Sequence, residues 1–548
     1  MRVLGVNAVF RDPAAALVVD GRTVAAAEEE RFSRRRHGKD PVPFSTWELP
    51  VQAMLWCLEE GDLAPSDLDV VTYSYHPDLA DPEGPGQDAD WEHLRLFYVE
   101  RAAHFLAQAL PGLDRRRVVF VPHHVAHAAS AVLAAPPFEG GRDAVVFAAD
   151  GRGESTSHLV GASTGGRLEV LSRQPLPDSL GLVYEELSEH LGFGRSGDED
   201  EVVALACKGE PSMLGVVREH LRFEGGGRVR ARALEVPWDV LAPRRDPGAE
   251  PVQEHADLAA SVQEALEETI LGVLDWAYER TRLRRLTMAG GVAFNCAANS
   301  RVHRDGPFDD VWVQPAAGDA GTALGGALYA AAKAGDDPRP MPGADLGRSW
   351  DEHEVEALLC DAGVAFERSA DLPAAVAAAL ADNALVAWFQ GRAEFGPRAL
   401  GRRCLLAHPG DAANLHRLSR VTGRGPFGPV SPMVVQERAP EIFFDGPLPS
   451  PYGLFAHRVA RRWRGRLPAV VNANGTARVQ TVSPASDPLT ARVLAEFEGR
   501  TGLPVLAGTG LATPGRPMVD SPWDALECFG SAPVDVLAIG PFLVRRRR

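Results

Sequence analysis

Two short apolar runs open the chain, Val3–Val6 and Ala14–Val19, separated by Asn7-Ala8-Val9-Phe10-Arg11-Asp12-Pro13. The pattern predicts two strands and a loop, and the tight Asp20-Gly21 turn then leads into a third strand over Thr23–Ala27. It recurs later: an apolar run Asp143–Ala149, a loop Asp150-Gly151-Arg152-Gly153-Glu154 and a returning run Ser155–Ala162. Two such openings, each with an acidic residue in its loop, predict either an internal duplication or two unrelated hairpins.

Periodicity of 3.6 predicts helices over Pro50–Glu60, Glu92–Ala109, Ser179–Leu191 and Asp257–Thr281. Leu286–Met288 and Val311–Gln314 read as strands, each followed by a glycine-rich turn and a helix, which is the alternation of an α/β fold. Gly335–Gly347 is polar, holds three prolines and lacks a period, so it reads as a linker. Beyond it, a helix over Glu352–Asp361 and strands near Ala384–Phe389, Arg478–Val482 and Val536–Ile539 predict a separate α+β domain. The expected division is a domain over 1–335, a linker over 336–350 and a domain over 351–548. The terminal Arg545–Arg548 run reads as a frayed, solvated tail.

Composition narrows the function classes. The 548 residues are 45% hydrophobic and 24% charged, enough for sizeable cores. A formal net charge of −17 argues against a general nucleic-acid or anionic-membrane binder. No apolar run reaches the length of a membrane span, and no signal peptide is evident, so a cytoplasmic location is expected. The six cysteines lack C-x-x-C spacing and predict neither a disulfide framework nor a zinc ribbon. Only Lys39, Lys208 and Lys333 are lysines, so arginine supplies nearly all the positive charge.

The sharpest chemical signal is Pro122-His123-His124-Val125-Ala126-His127. If a helix starts at Pro122, His123 and His127 lie one turn apart on one face; His124 and His127, three apart, could also share an ion, and spacing does not choose. Asp150 and Asp319 each sit at a strand end in a glycine loop, where a carboxylate can hold a cation or merely shape a turn. Gly290-Gly291, with Asn295 and Asn299 behind, follows a strand and opens a helix, a setting for close ligand approach or for a simple turn. The segment 388–403 packs four arginines among glycines, which suits a phosphate clamp or a solvated arginine face.

Taken in order, Asn7…Asp12-Pro-Ala-Ala-Ala-Leu, Ala27-Glu-Glu-Glu-Arg-Phe-Ser33, His-His-x-x-His-Ala-Ala-Ser-Ala, Asp150-Gly-x-Gly-Glu, Gly290-Gly-Val-Ala-x-Asn, Gly318-Asp-x-Gly-x-Ala and Gly391-Arg-x-Glu-Phe-Gly-Pro-Arg-Ala-Leu-Gly resemble the O-carbamoyltransferases. The resemblance covers essentially the whole chain. It implies an α/β fold with a duplicated N-terminal domain of the actin/sugar-kinase (ASKHA) superfamily and a C-terminal YrdC-like α+β domain. It implies that carbamoyl phosphate and ATP, with magnesium, form carbamoyl adenylate, whose carbamoyl group passes to a hydroxyl or amine of a small-molecule acceptor in secondary metabolism. It implies a divalent metal, iron or alternatively manganese or zinc, on His123, His127, Asp150 and Asp319. Arg11 and Asp12 fall at catalytic positions. Gly151, Gly153, Glu154, Gly290, Gly291, Asn295 and Gly318 fall at nucleotide-binding positions, and Arg392, Arg398, Arg424 and Arg478 at donor-phosphate positions. A homodimer or a protein partner is compatible with this reading, and neither nucleic acid nor membrane is expected.

The chain departs from that pattern in several places. Arg11 stands where the resemblance implies a histidine, the natural base for an acceptor hydroxyl, and a guanidinium does not accept a proton at neutral pH. Glu201 replaces an implied lysine, and Thr422 and Gly428 replace two implied cations. Asn472 and Asn474 stand in an implied histidine-x-aspartate pair, and Gly508, Gly510 and Ala512 remove side-chain donors. Each lost charge-assisted bond costs about 1.5–3 kcal/mol, so slow donor activation, another acyl donor, or a non-catalytic, partner-dependent homologue are the alternatives.

Overall fold

A computed structural model describes residues 1–39, 48–138, 141–195, 197–425, 428 and 430–546. It resolves into two compact units, Met1–Gly343 and Ala344–Arg548, with the division inside the expected linker.

The first unit contains one arrangement twice. In the first copy, β1 (Arg2–Asn7), β2 (Ala14–Val19) and β3 (Arg22–Glu28) form an antiparallel meander, and β4 (Val70–Tyr73) and β5 (Val118–Phe120) add parallel strands on the other side of β1, in the order β3-β2-β1-β4-β5. In the second, β6 (Ala144–Ala149), β7 (Thr156–Thr164) and β8 (Arg167–Pro175) repeat the meander. After a short hairpin of β9 (Leu221–Gly225) and β10 (Arg228–Ala231), β11 (Arg285–Ala289) and β12 (Asp310–Val313) add in parallel beside β6, giving β8-β7-β6-β11-β12. Order and strand sense are the same in both sheets, so the duplication is present. β1 and β6 are buried on both faces, as their unbroken apolar runs require.

Two helices hold the repeats together. His123–Val132 is buried along its whole length, and Ala320–Lys333 is alanine- and glycine-rich on the faces that meet its neighbours. A Cβ at Gly5 would come within 1.8 Å of Ala323 O, and one at Gly325 within 1.8 Å of Ala126 O. Bare glycines thus let strand and helices approach backbone to backbone.

The helix expected over Glu92–Ala109 is two helices, Ala89–Val99 and Ala102–Ala109. At the break the Arg101 guanidinium stacks on Phe97, 3.8 Å from the ring centroid, and donates to Phe97 O; no glycine or proline marks the place.

The second unit is built on an eight-stranded mixed sheet. Its order is Phe366–Arg368, Phe542–Arg545, Val536–Ile539, Val386–Phe389, Arg403–Ala407, Val505–Gly510, Ser431–Val435, Gln480–Val482. Helices Leu372–Ala381 and Pro488–Thr501 pack against each other, and Trp388 is completely buried in the core. A three-stranded sheet, Phe443–Phe444, Ala456–Val459 and Thr476–Arg478, stands beside it. The expected strand over Arg478–Val482 is therefore divided between two sheets. The terminal arginines are not a frayed tail as far as they are described: Arg545 pairs with Glu367 at 3.2 Å, and Arg546 donates to Ala532 O at 2.6 Å. Arg547 and Arg548 lie outside the described residues, as do Pro426, Phe427 and Pro429 of the 422–432 run.

Candidate metal centre and its surroundings

The helix beginning at His123 presents His123 and His127 on one face, and two loops of the second repeat, after β6 and after β12, bring carboxylates to it. The two Nε2 atoms are 3.2 Å apart. Asp150 Oδ2 lies 2.9 Å from His127 Nε2 and 3.9 Å from His123 Nε2. Asp319 Oδ1 lies 3.4 Å from His123 Nε2 and 3.6 Å from His127 Nε2. The four ligand atoms fall within 4.8 Å of one another.

Those separations suit a metal ion. Bonds of about 2.0–2.2 Å set neighbouring ligand atoms about 3.0–3.5 Å apart in tetrahedral or octahedral sites. Asp150 Oδ2 is buried without a hydrogen-bond partner, and so is His127 Nδ1. His123 Nδ1 faces Ser74 O at 3.3 Å; a carbonyl only accepts, so this nitrogen donates and a neutral ring turns its Nε2 lone pair toward the carboxylates. Burial opposes charge on His123, but Asp150 and Asp319 outweigh it and push that ring up to about 10. The same balance, with burial opposed by both histidines, holds Asp150 well below the usual carboxylate range. The pocket attracts positive charge, and two imidazoles with two carboxylates neutralise a divalent ion.

Neighbouring groups fix these ligands. Asp319 does not cap its helix; its Oδ2 instead accepts from Arg11 N at 2.9 Å, tying the β1–β2 loop to the cluster. Asp150 Oδ1 accepts from Gly151 N at 2.7 Å. Glu154 Oε1 accepts from His123 N at 2.7 Å and His76 N at 2.9 Å, so this buried carboxylate anchors the histidine helix. Thr322 Oγ1 donates to Ser74 Oγ, which donates to Asn7 Oδ1, and Asn7 Nδ2 donates to the Arg11 and Asp12 carbonyls. Phe10 packs its ring edge-on to His123 at 5.0 Å. Buried Lys39 donates to the Ala8 and Val9 carbonyls, and desolvation brings it down to about 8. Spacing did not choose between His124 and His123 as partner of His127; geometry selects His123, because His124 turns its Nδ1 to Thr156 Oγ1 at 3.2 Å.

The glycine positions line the same region. Gly290 has φ +88°, and a Cβ there would lie 2.1 Å from Ala149 O. A Cβ at Gly291 would meet Asp150 Oδ1 at 3.1 Å, one at Gly153 would meet His124 at 2.7 Å, one at Gly151 would meet Glu185 Oε1 at 3.0 Å, and one at Gly318 would meet Phe294 at 3.0 Å. Asn295 is less available than its spacing suggested. Its Oδ1 caps the helix Cys296–Asp305 through Ala298 N, and its amide exchanges bonds with Gln263.

In the second unit, Glu394 Oε1 accepts from the backbone N–H groups of Leu400, Arg402 and Arg403 and shapes the 396–401 loop. Arg403 is fully buried and donates to the Gln390 and Gly391 carbonyls, and Arg402 pairs with Asp345. Two of the four arginines in 388–403 thus serve the fold. Arg392 donates to Gly347 O and Leu346 O. Arg398 is mostly buried in the same loop, Arg424 is exposed after the helix Ala413–Thr422, and Arg478 Nε donates to Ser431 Oγ.

Ser74, Phe10, Lys39, His37 and Glu185 belong to these surroundings and were not singled out by sequence. Lys39 carried one usable signal, a lysine kept where the chain otherwise uses arginine. Ser74 and Phe10 carried none.

The Carbamoyltransferase N-terminus family matches residues 2–328, and the Carbamoyltransferase C-terminus family matches residues 377–546. Nodulation protein NolNO of Sinorhizobium fredii is 35% identical over 99% of this chain and 80% of its own length. Nodulation protein NolO of Bradyrhizobium diazoefficiens is 37% identical over 78% of this chain and 79% of its own length, and the uncharacterized protein sll1178 of Synechocystis is 31% identical over 99% and 96%. With both halves matched, the chain belongs to the carbamoyltransferase family.

Proposed function

We propose that this protein transfers a carbamoyl group from carbamoyl adenylate to a hydroxyl or amine of a small-molecule acceptor, at the His123–His127–Asp150–Asp319 cluster. The observation that carries the reading is the convergence of those four ligand atoms within 4.8 Å, at the junction of two duplicated halves. The residues fit a divalent ion, with iron first and manganese or zinc as alternatives. When bound, it supplies Lewis-acid polarisation of the donor.

The chain's own groups do the rest. Gly151, Gly153, Gly291 and Gly318 leave backbone open where an adenine nucleotide would approach, with Gly290 setting the turn. Glu154 contributes by anchoring the histidine helix. Arg11 supplies a fixed positive charge next to Asp12. The two repeats form the ASKHA-type transfer domain, and the second unit is the YrdC-like domain in which carbamoyl phosphate and magnesium ATP would be joined, with Arg398, Arg424 and Arg478 as phosphate contacts and Arg392 as their loop support. A role in making a secondary metabolite in the cytoplasm, with or without a protein partner, accords with this chemistry.

The test supplies carbamoyl phosphate, ATP and a panel of polyhydroxylated and amino acceptors to the metal-loaded full chain, with detection by mass spectrometry. A product heavier by one carbamoyl group, with AMP formed in equal amount, is expected. Nucleotide binding with no carbamoylated product and no AMP would favour the non-catalytic alternative raised by Thr422, Gly428 and Gly508.

A further inference from the structure

Next to the four-residue cluster lies a second constellation. Asp12 and His37 both have left-handed backbones without being glycine, at φ 47° and φ 63°. Such a residue is strained and persists only where its surroundings impose it. Here Asn7 Nδ2 clamps the Asp12 carbonyl, and Glu30 Oε2 accepts from His37 N at 2.9 Å. The two strained residues meet: His37 Nδ1 is 2.8 Å from Asp12 Oδ1, and each side chain is 32% exposed. A carboxylate at Nδ1 fixes the tautomer with the proton on that nitrogen and leaves an Nε2 lone pair. Nε2 has no hydrogen-bond partner among the described residues. It borders space kept open by Gly197, at φ +105°, where a Cβ would lie 3.3 Å from His37 Nε2 and 3.2 Å from an Arg11 guanidinium nitrogen. The loop carrying Asp12 is tied to the cluster through Arg11 N and Asp319 Oδ2.

We propose that His37, oriented by Asp12, is the general base that activates the acceptor, taking the role that Arg11 cannot fill. The inference rests on the carbamoyl-transfer reading above. As the acceptor oxygen attacks, its O–H proton passes to His37 Nε2. The new O–C bond forms to the carbamoyl carbon, the carbon–oxygen bond to the adenylate phosphate breaks, and AMP leaves with that electron pair. His37 then returns its proton to solvent, and Asp12 remains ionised throughout. Burial opposes the Asp12 charge, but His37, Arg11 and Lys39 hold its carboxyl well below the usual range. Charged groups around His37 include Arg11, across Gly197, Glu30, which accepts from the His37 amide, and Glu199, which accepts from Gly197 N at 2.8 Å.

The test uses the metal-loaded full chain and its His37→Gly variant. Glycine suits the φ of 63°, so the variant should fold and leave room for a small base. AMP release from supplied carbamoyl adenylate is followed against pH, with water and glycerol as acceptor probes. Wild type should lose rate as pH falls, through one protonation. His37→Gly should be slower by about 10²–10⁴-fold at neutral pH and lose that acidic limb, added imidazole should restore part of the rate, and AMP affinity should stay within twofold. A variant rate within threefold of wild type, or a loss with the pH profile unchanged and no imidazole rescue, overturns the assignment while transfer itself stands. No AMP release by wild type above spontaneous breakdown overturns the transfer reading, and this inference with it.

Discussion

Asp150 Oδ2 and His127 Nδ1 are buried polar atoms without hydrogen-bond partners, and leaving such groups unsatisfied costs about 1–3 kcal/mol each. An ion on Oδ2 and the facing Nε2 atoms removes that cost at Oδ2. His127→Ala and Asp319→Asn should therefore drop the metal content of purified protein from near one ion per chain to below about a tenth, read by elemental analysis, whereas His124→Gln should keep it, because His124 lies outside the cluster. Stoichiometric metal in His127→Ala would contradict the assignment. The glycines give an independent check. A Cβ at Gly318 presses on Phe294 at 3.0 Å, so Gly318→Val should weaken AMP binding by about tenfold in calorimetry without a matching loss of thermal stability. Equal affinity would remove this loop from the nucleotide site. At this scale the sequence was informative about ligand types and spacing. It was silent on Ser74, Phe10 and His37, because their roles come from backbone angles and contacts between segments far apart in the chain.

Two elements decide how well the cluster is held. The histidine helix starts against Glu154, whose carboxylate accepts from the His123 and His76 amides. Glu154→Ala should leave all four ligands in place yet lower metal affinity by about 10–100-fold, as loss of an orienting partner does; affinity within twofold in a competition titration would count against this anchoring. Strand β7 carries a different dependence. His158 is 1% exposed, its Nε2 donates to Gly227 O at 2.9 Å, and burial brings the ring down to about 4. With the folded pKa below the unfolded value, this histidine's contribution is fully present above pH 6.5 and is lost as pH falls toward 4, by about 3 kcal/mol in all. Denaturant unfolding at pH 7 and pH 5 should show that slope, and His158→Gln should flatten it; an unchanged slope would assign the acid sensitivity elsewhere. Strands such as Ala14–Val19 were legible because their apolar runs are unbroken. The break at Glu100-Arg101 was not, since no helix-breaking residue marks it.

For the whole molecule, two acidic loops following apolar runs left a duplication and two unrelated hairpins both open, and strand order and sense in the structure decide for the duplication. The order β3-β2-β1-β4-β5 and its copy place the first loop of each half at one cluster, Asp150 directly and Arg11 through Asp319. The second unit is where sequence reasoning reached least far. Arginines expected as an anion clamp divide between fold-holding Arg402 and Arg403 and the remaining candidates Arg398, Arg424 and Arg478. With Thr422, Gly428, Gly508, Gly510 and Ala512 lacking the implied cations and donors, pyrophosphate release from carbamoyl phosphate and ATP by the full chain should be at least about tenfold slower than in a family member that retains them, since developing charge is more sensitive to missing donors than ground-state binding is. Equal rates would show that the remaining arginines suffice. The most direct single measurement bypasses that step: AMP release from supplied carbamoyl adenylate by the metal-loaded full chain, compared with the same chain after chelation and with Asp319→Asn. Release well above spontaneous breakdown in the loaded protein, lost by about 10²-fold or more in both comparisons, is the expected result. The same rate in all three preparations, or none in any of them, would contradict the placement of carbamoyl transfer at this cluster.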